Sequence, residues 1–212
     1  MTTISIAEDQ ALQEQIVDAA RDDLARLFAE LDLSDGVAAR EALISILEDL
    51  TEVYGESYAV AALEMFERIR EAAGQVTKTS AVLAPPVPPS QIKGSVKWAV
   101  DTLFGDKYNE VMTLSKLQDI TTRLVLQQGR DTIALNVSKD RSAKYARVLG
   151  PSESNCKYCL MLASRGAVYH SSESAKAGYH DGCRCTAVPM YDGMSIEDYD
   201  PKALHEEYLK LG

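Results

Sequence analysis

The sequence predicts a mainly α-helical fold of the α+β class. Apolar side chains recur at helical spacing in the first 75 residues, and four of the seven prolines lie between residues 85 and 89. All four cysteines lie between residues 156 and 185. We therefore expect an acidic helical bundle at residues 1–75, a proline-rich linker at 76–90, and a C-terminal part at 91–212. In that part, a helical segment leads to a small turn-rich Cys/His module with short β-strands.

Three stripes of apolar side chains predict three amphipathic helices in the N-terminal region. They run over Leu12–Leu31, Leu43–Tyr54 and Tyr58–Ile69, with members three or four residues apart. The pair Asp35-Gly36 separates the first two stripes, and Gly55 is expected to separate the last two. The short connections favour a small antiparallel bundle.

The prolines of residues 85–89 predict the main boundary of the chain. Proline at this density cannot continue a helix and favours an extended polyproline spacer. Most of the residues before it, 74–80, are polar or small, and the last predicted helix closes at Gly74. We therefore expect residues 76–90 to link two separate parts of the protein.

Four elements are expected after the linker. Residues 95–104 predict a short helix, and residues 107–136 a longer one that Gly129 is expected to bend or interrupt. Residues 143–149 alternate as a β-strand does and end at Gly150-Pro151. Asp200-Pro201 is a good N-cap and first-turn pair for a helix that reaches Leu209.

Charge is unevenly distributed along a chain whose net charge is −10. Residues 1–75 carry 17 acidic and 5 basic side chains, whereas residues 76–190 carry 9 acidic and 15 basic ones. Such an acidic front argues against the wrapping of DNA by the whole chain. It fits either a helical module that docks on a basic protein surface or a solvated acidic face. The sequence has no apolar run long enough for a membrane span and shows no secretory signal, so we expect no membrane partner and synthesis in the cytoplasm.

The cysteines and a nearby histidine form the one constellation with a clear chemistry. A Cys-x-x-Cys turn points two thiolates at one tetrahedral ion, and a second pair from a distant loop completes the shell of a structural Zn²⁺. Five side chains are candidate metal ligands for four positions: Cys156, Cys159, His180, Cys183 and Cys185. In a turn-rich segment of this size, the binding energy of such an ion would also stabilise the fold.

Disulfide bonds are the competing interpretation of the same cysteines. A reducing cytosol favours thiolates and metal, whereas a particle released from the cell meets oxidising conditions. Both alternatives stay open, as does a set of plain reduced thiols. Catalytic interpretations have less support, because the chain has no deaminase, metalloprotease or nucleophile-elbow motif in the required order, and we expect no catalytic residues.

Residues 130–189 resemble the C-terminal core of the Mu F-like minor head (minor capsid) proteins of tailed bacteriophages, in the version found in actinobacteriophages. The matching segments are Arg130–Asn136, Tyr145–Val148, Cys156–Tyr169 and Tyr179–Pro189. The closing His-x-x-Cys-Arg-Cys of residues 180–185 is the family's most recognisable feature. Asp181 departs from the proline that usually follows the histidine, which removes a rigid turn residue but leaves the candidate ligands.

The resemblance implies a non-enzymatic, low-copy structural protein of the virion, located at the portal vertex or inside the phage head. Its implied partners are the portal protein, the major capsid protein or both, in head assembly and in genome packaging or ejection. Lys139, Arg141, Lys144 and Arg147 are then candidate contacts with packaged DNA or with acidic portal surfaces, unless they form an ordinary solvated face. Arg165 and Arg184, inside the cluster, are expected to donate hydrogen bonds to the carbonyls of its loops.

Two other functions remain as alternatives. One is a capsid maturation protease, since related modules are fused to or described as such enzymes. The other is a nucleic-acid-binding regulator with a zinc knuckle, which the acidic total charge disfavours. The structural virion protein is the expectation that the residues support best.

Overall fold

A computed structural model describes residues 2–75, 80–104, 106, 108–151, 156–171 and 178–211. The protein is mainly helical with a few short strands, so the predicted fold class is confirmed. The helices are α1 (Ala7–Ala29), α2 (Gly36–Ala72), α3 (Pro89–Ala99), α4 (Glu110–Lys139), α5 (Lys157–Ala163) and α6 (Pro201–Lys210). The strands are β1 (Thr2–Ile4), β2 (Ala143–Val148), β3 (Thr186–Tyr191) and β4 (Met194–Ile196).

Helices α1, α2 and α4 pack side by side and form the body of the molecule. Asp35 caps α2, since its carboxylate accepts hydrogen bonds from the backbone N–H groups of Val37 and Ala38. Helix α2 then runs without a break through Gly55, so the prediction of two helices in this stretch was wrong. A glycine inside a helix costs about 1 kcal/mol relative to alanine. Here the long buried face of α2, packed against α4, offsets that cost.

Helix α4 is likewise continuous through Gly129, so the expected interruption at this residue is also wrong. Gly129 is buried at the crossing of α2 and α4. A Cβ atom at this position would lie 2.4 Å from Cδ1 of Tyr58. The glycine therefore permits a close approach of two helices rather than a bend.

The described part of the proline-rich segment, residues 80–88, forms neither helix nor strand and lies along α4. Asn136 donates a hydrogen bond to the carbonyl of Val82 and accepts one from its N–H, at 2.8 and 2.9 Å. Thr132 accepts a hydrogen bond from the N–H of Ala84, and Gln128 donates one to its carbonyl. Residues 80–88 are thus fixed to the body of the protein, and α3 begins directly after them, earlier than the expected residue 95.

Two pairs of strands complete the fold. Strands β2 and β3 are antiparallel, with a register from Ala143↔Tyr191 to Val148↔Thr186. Strand β1, which the sequence did not predict, runs parallel to β4 with Thr2 opposite Met194. Helix α6 begins at Pro201 behind the predicted Asp200 cap, and none of its residues is buried.

The hydrophobic cores draw residues from both sides of the proline-rich segment. One core joins Met65 and Phe66 of α2 to Ile133 of α4 and Val188 of β3, and another joins α1, α2, α3 and α4. The expected parts 1–75, 76–90 and 91–212 therefore describe the order along the chain, and the described residues pack across them. No helix in the described ranges is long and apolar enough to cross a membrane.

Candidate metal centre

Two backbone segments bring the predicted ligands together, and the first is the start of α5. Cys156 is the N-cap of this helix, and its Sγ accepts a hydrogen bond from the N–H of Cys159 at 3.3 Å. The cap places Cys156 and Cys159, three residues apart, on the same side of the first helical turn. The Cys-x-x-Cys spacing is thus built into the helix start.

The second segment is the loop of residues 178–185, which leads into β3. Gly182 adopts a left-handed backbone conformation (φ 73°), and the N–H of Cys183 donates a hydrogen bond to the carbonyl of His180. The N–H of Gly182 donates to the backbone carbonyl of Asp119 in α4, so the turn is anchored to the helical body. The tight turn directs His180 and Cys183 toward α5.

The ring of His180 is oriented by its own loop. Nδ1 lies 2.7 Å from the backbone carbonyl oxygen of Asp181, so this nitrogen carries the hydrogen and donates a hydrogen bond to that oxygen. The other ring nitrogen, Nε2, is left as an acceptor and faces the thiols. In metal-binding histidines, a hydrogen bond from the ring nitrogen that does not bind the metal fixes the tautomer, and the bond from Nδ1 to Asp181 is of this kind.

The five candidate ligands meet at Cys159. The Nε2 of His180 lies 3.2 Å from Sγ of Cys156 and 3.1 Å from Sγ of Cys159. Cys159, Cys183 and Cys185 form a second group whose sulfur atoms all lie within 4.8 Å of one another. Cys159, Cys183 and Cys185 are buried, whereas Cys156 is exposed at the edge.

These separations suit a thiolate-bound metal better than a disulfide. All four cysteines are free thiols, and the Sγ atoms of Cys159 and Cys183 are 3.8 Å apart, far from the S–S bond length of about 2.05 Å. A zinc ion with Zn–S distances of about 2.3 Å has sulfur ligands about 3.8 Å apart at the corners of a tetrahedron. The donor set of cysteine and histidine is also the one that zinc prefers, so these residues fit the ion.

The sulfur atoms influence one another's protonation strongly. Hydrogen bonds with the thiols of Cys159 and Cys185, helped by the charge of Arg130, hold the pKa of Cys183 well below its ordinary value. Hydrogen bonds with Cys183 and Cys185, together with burial, raise the pKa of Cys159 far above its ordinary value. The environment thus favours the thiolate of Cys183 over that of Cys159, and a metal ion would replace the protons that the sulfur atoms share.

Two buried arginines lie directly behind the cysteines. Arg130 of α4 and Arg147 of β2 are 2% and 0% exposed, and their guanidinium groups lie on the two faces of the Tyr179 ring. Arg147 Nη2 is 3.7 Å from Sγ of Cys183. Burial raises the pKa of Tyr179 to about 12, so the ring stays neutral between the two cations.

The expected roles of the basic residues change with these positions. Arg147 belongs to the interior, so it cannot contribute to a basic surface, although Lys139, Arg141 and Lys144 are exposed as expected. Arg184 does not bind the loop carbonyls. It pairs instead with Glu14 and Asp18 of α1.

Arg130 is the residue that donates hydrogen bonds to the carbonyls of the cluster, a role that no pattern in the sequence predicts. A signal was present for its neighbour Arg147, because a charged side chain between Ala146 and Val148 interrupts an apolar strand. Such an interruption is typical of a buried charge with a specific partner. Helix α4 offered no comparable signal at Arg130.

Gln13 of α1 is a further link that the sequence did not reveal. It is fully buried, and it donates a hydrogen bond to the carbonyl of Arg184 at 2.7 Å. Its side-chain oxygen accepts hydrogen bonds from Tyr58 and Thr186. The end of the cysteine loop is therefore joined to both N-terminal helices.

Comparisons with known proteins place the chain among bacteriophage gene products. The model of the VG15 protein family matches residues 1–211. The Gene 15 protein of Mycobacterium phage D29 is 31% identical over 132 aligned positions, which cover 46% of this chain and 46% of that protein. The chain thus spans about half the length of this curated relative. No solved structure matches the chain.

Proposed function

The chain belongs to the VG15 protein family of phage gene products, and on this premise we propose that it is a structural minor head protein of a tailed-phage virion. The Mu F-like resemblance of residues 130–189 supports this role. We also propose that the Cys/His cluster holds a structural Zn²⁺. The protein then acts in head assembly at the portal vertex or the inner capsid, and in genome packaging or ejection.

The observation that carries the proposal of a structural ion is the number of protein ligands, of which Cys156 and His180 lie exposed at the edge of the cluster. Structural zinc sites have four protein ligands, whereas catalytic zinc sites leave one position open for water or substrate. Here Cys159, Cys183 and Cys185 are each less than 5% exposed, and five protein groups are available for four positions. An ion at this place would join α5 to the loop before β3, and that loop is fixed to α1 and α4.

Opposite charges on two parts of the surface support protein partners in the head. Helix α2 carries a row of acidic side chains beside residues 86–92, which suits a basic portal or capsid surface. The row comprises the half-buried Glu48 and the exposed Glu52 and Glu56. The exposed Lys139, Arg141 and Lys144 at the far end of α4 suit acidic protein surfaces or packaged DNA. We also propose that a few copies of the chain form an oligomer around the portal.

Protein analysis of purified particles tests the virion role. We expect the chain in DNA-filled heads at a constant low copy number, and we expect particles made without its gene to lose infectivity. Particles of full infectivity that contain none of the chain would refute the proposal. Complementation with Cys159→Ser, beside the exposed control Ser138→Ala, tests whether the cluster is needed for incorporation.

Coexpression with the major capsid protein separates the structural role from that of a maturation protease. We expect the capsid protein to keep its full length in the presence of the chain. Cleavage that disappears with His180→Ala, in a variant that still folds, would favour the protease instead. Binding of the purified chain to free DNA with a steep dependence on salt would favour the nucleic-acid-binding regulator.

A further inference from the structure

The phenol ring of Tyr179 is held between two arginines from different elements. The guanidinium carbon of Arg130 lies 3.8 Å from the ring centre, and that of Arg147 lies 3.9 Å from it. Both distances are well inside the roughly 6 Å range of cation–π contacts. We call these three residues the arginine–tyrosine stack. Since Tyr179 directly precedes His180, the stack fixes the start of the loop that carries three candidate ligands.

Arg130 also fixes the end of that loop through its backbone. Its Nε and Nη2 donate hydrogen bonds to the carbonyl of Cys185 at 3.1 and 2.8 Å, and Nη2 donates a third to the carbonyl of Cys183 at 2.7 Å. The planar guanidinium is suited to such a fork of bonds, which the single ammonium group of lysine cannot reproduce. One side chain of α4 thus holds both Cys183 and Cys185 in place.

The stack brings positive charge to a place with little water. Arg130 and Arg147 are almost fully buried, and Nη1 of Arg130 has no hydrogen-bond partner among the described residues. No described carboxylate forms an ion pair with Arg130 within 4.0 Å. A buried cation is costly unless an anion lies close to it. The thiol of Cys183 is in contact with this buried charge, since its Sγ lies 3.7 Å from Nη2 of Arg147.

A zinc centre with three thiolates and one neutral histidine has a net charge of −1, and one with four thiolates has −2. The four-thiolate centre would offset both buried guanidinium charges, and the three-thiolate centre would offset one of them. The contact between Arg147 and Cys183 Sγ is of the type that supports metal-bound thiolates from outside the ligand shell. The charge of the stack and the charge of a thiolate–metal centre therefore stabilise each other.

We propose that Arg130 and Arg147, stacked on Tyr179, are the positioning residues of a thiolate-rich zinc centre. They fix the backbone at Cys183 and Cys185, so that the loop presents its ligands to the metal, and their charge opposes the negative charge of the loaded site. This inference rests on the zinc centre proposed above, although it is independent of where the protein acts in the particle.

The test compares Arg130→Met and Arg147→Met with the wild-type chain. Zinc is titrated against a chelator of known affinity, and the absorption of the Co²⁺-loaded protein reports tetrahedral thiolate coordination. We expect each methionine variant to lose about 10- to 100-fold in zinc affinity, the usual effect of removing a group that supports the ligands. Arg130→Lys keeps the positive charge but loses the forked hydrogen bonds of the guanidinium. Its zinc affinity should lie between those of the wild type and Arg130→Met.

Matched variants separate metal binding from general destabilisation. Gln128→Leu removes a buried hydrogen bond from the same helix without touching the cluster, so it should bind zinc as the wild type does. If a methionine variant fails to fold, Tyr179→Phe and Tyr179→Leu provide the second comparison. Tyr179→Phe keeps an aromatic ring between the two guanidinium groups and should keep the zinc affinity of the wild type. Tyr179→Leu removes the ring and should lower the zinc affinity.

The outcomes separate the role of the arginine–tyrosine stack from the existence of the zinc centre. Wild-type affinity in folded Arg130→Met and Arg147→Met would overturn the role of the stack and leave the zinc centre standing. A wild-type chain that binds neither Zn²⁺ nor Co²⁺ under reducing conditions would overturn both. Neither result depends on the presence of the protein in phage particles, which is measured separately.

Discussion

Helices α2 and α4 approach so closely that a Cβ atom on Gly129 would lie 2.4 Å from Cδ1 of Tyr58. Tyr58 is buried, and its hydroxyl donates a hydrogen bond to Gln13 of α1, so the ring cannot move aside freely. This contact therefore leaves no room for a side chain at position 129. It also explains why a glycine is compatible with an unbroken helix at this position.

Gly129→Ala is therefore expected to destabilise the protein although alanine favours helices. Overpacking of a filled core costs about 1–3 kcal/mol, and the helix propensity of alanine returns at most about 1 kcal/mol. The free energy of unfolding, measured by denaturant titration, should fall. Gly94→Ala in α3 is the control, because nothing lies within 4 Å of a Cβ atom there. It should be neutral or stabilising, and equal effects of the two substitutions would contradict the packing argument.

The cysteines are not expected to be equivalent in metal binding. Cys159 belongs to both groups of adjacent ligands, and Cys183 is the thiol that Arg147 contacts. Cys159→Ser and Cys183→Ser should therefore lose stoichiometric zinc, whereas Cys185→Ser should retain most of it. Zinc per chain after gel filtration, with a count of reactive thiols, measures the difference. Retention of zinc by Cys159→Ser together with its loss in Cys185→Ser would reverse this assignment.

Removal of the metal should weaken the C-terminal module. Because a structural ion stabilises only the folded chain, a strong chelator is expected to lower the melting temperature of the wild type. The same chelator should leave the melting temperature of Cys159→Ser unchanged. An identical shift in both proteins would show that the chelator acts elsewhere.

Asn136 is expected to hold the proline-rich segment on α4. Asn136→Ala removes both hydrogen bonds to Val82, and such a loss costs about 1–3 kcal/mol when it leaves buried groups unpaired. Hydrogen exchange at the N–H of Val82 should accelerate more than exchange at Ala84, which keeps its bond to Thr132. Ser138 is exposed and lies two residues after Asn136 in α4, so Ser138→Ala should change neither exchange rate. Unchanged protection of Val82 in Asn136→Ala would contradict this role.

Local signals in the sequence were sufficient for some elements and not for others. The Asp200-Pro201 cap, the alternation of β2 and the periodicity of α1 are properties of neighbouring residues, and all three elements form where expected. Strand β1 has three residues, and its partner β4 lies about 190 positions away, so no local pattern predicts the pairing. Tertiary contacts likewise decide that α2 continues through Gly55.

The candidate metal centre was likewise predictable from the sequence only in part. The spacing of cysteines identified the ligand candidates, and the structure groups all five around Cys159. The three residues of the arginine–tyrosine stack come from α4, from β2 and from the loop of residues 178–185. These three segments meet only in the folded chain. In a sequence, Arg130 looks like an exposed helical residue, because helix periodicity alone does not distinguish a buried guanidinium from a solvated one.

Asp131 of α4 gives a prediction for the dependence of stability on pH. Burial raises the pKa of this carboxyl, opposed by a hydrogen bond with Gln127 and by the charge of Arg130. A raised pKa in the folded state means that the folded chain holds the proton more tightly than the unfolded chain does. Its stabilising contribution is therefore complete at low pH, below the ordinary carboxyl pKa of about 4, and is lost as the pH rises through the folded pKa.

Asp131→Asn keeps the shape of the protonated carboxyl and removes the charge. We expect this variant to unfold at higher denaturant concentration than the wild type at pH 7, because it no longer carries a partly buried anion. The difference should shrink as the pH falls toward 4, where the wild-type carboxyl becomes neutral in the folded state. Glu52→Gln, on the exposed face of α2, controls for the loss of one negative charge from an acidic surface. If both variants changed stability equally at every pH, the effect would belong to total charge and not to the burial of Asp131.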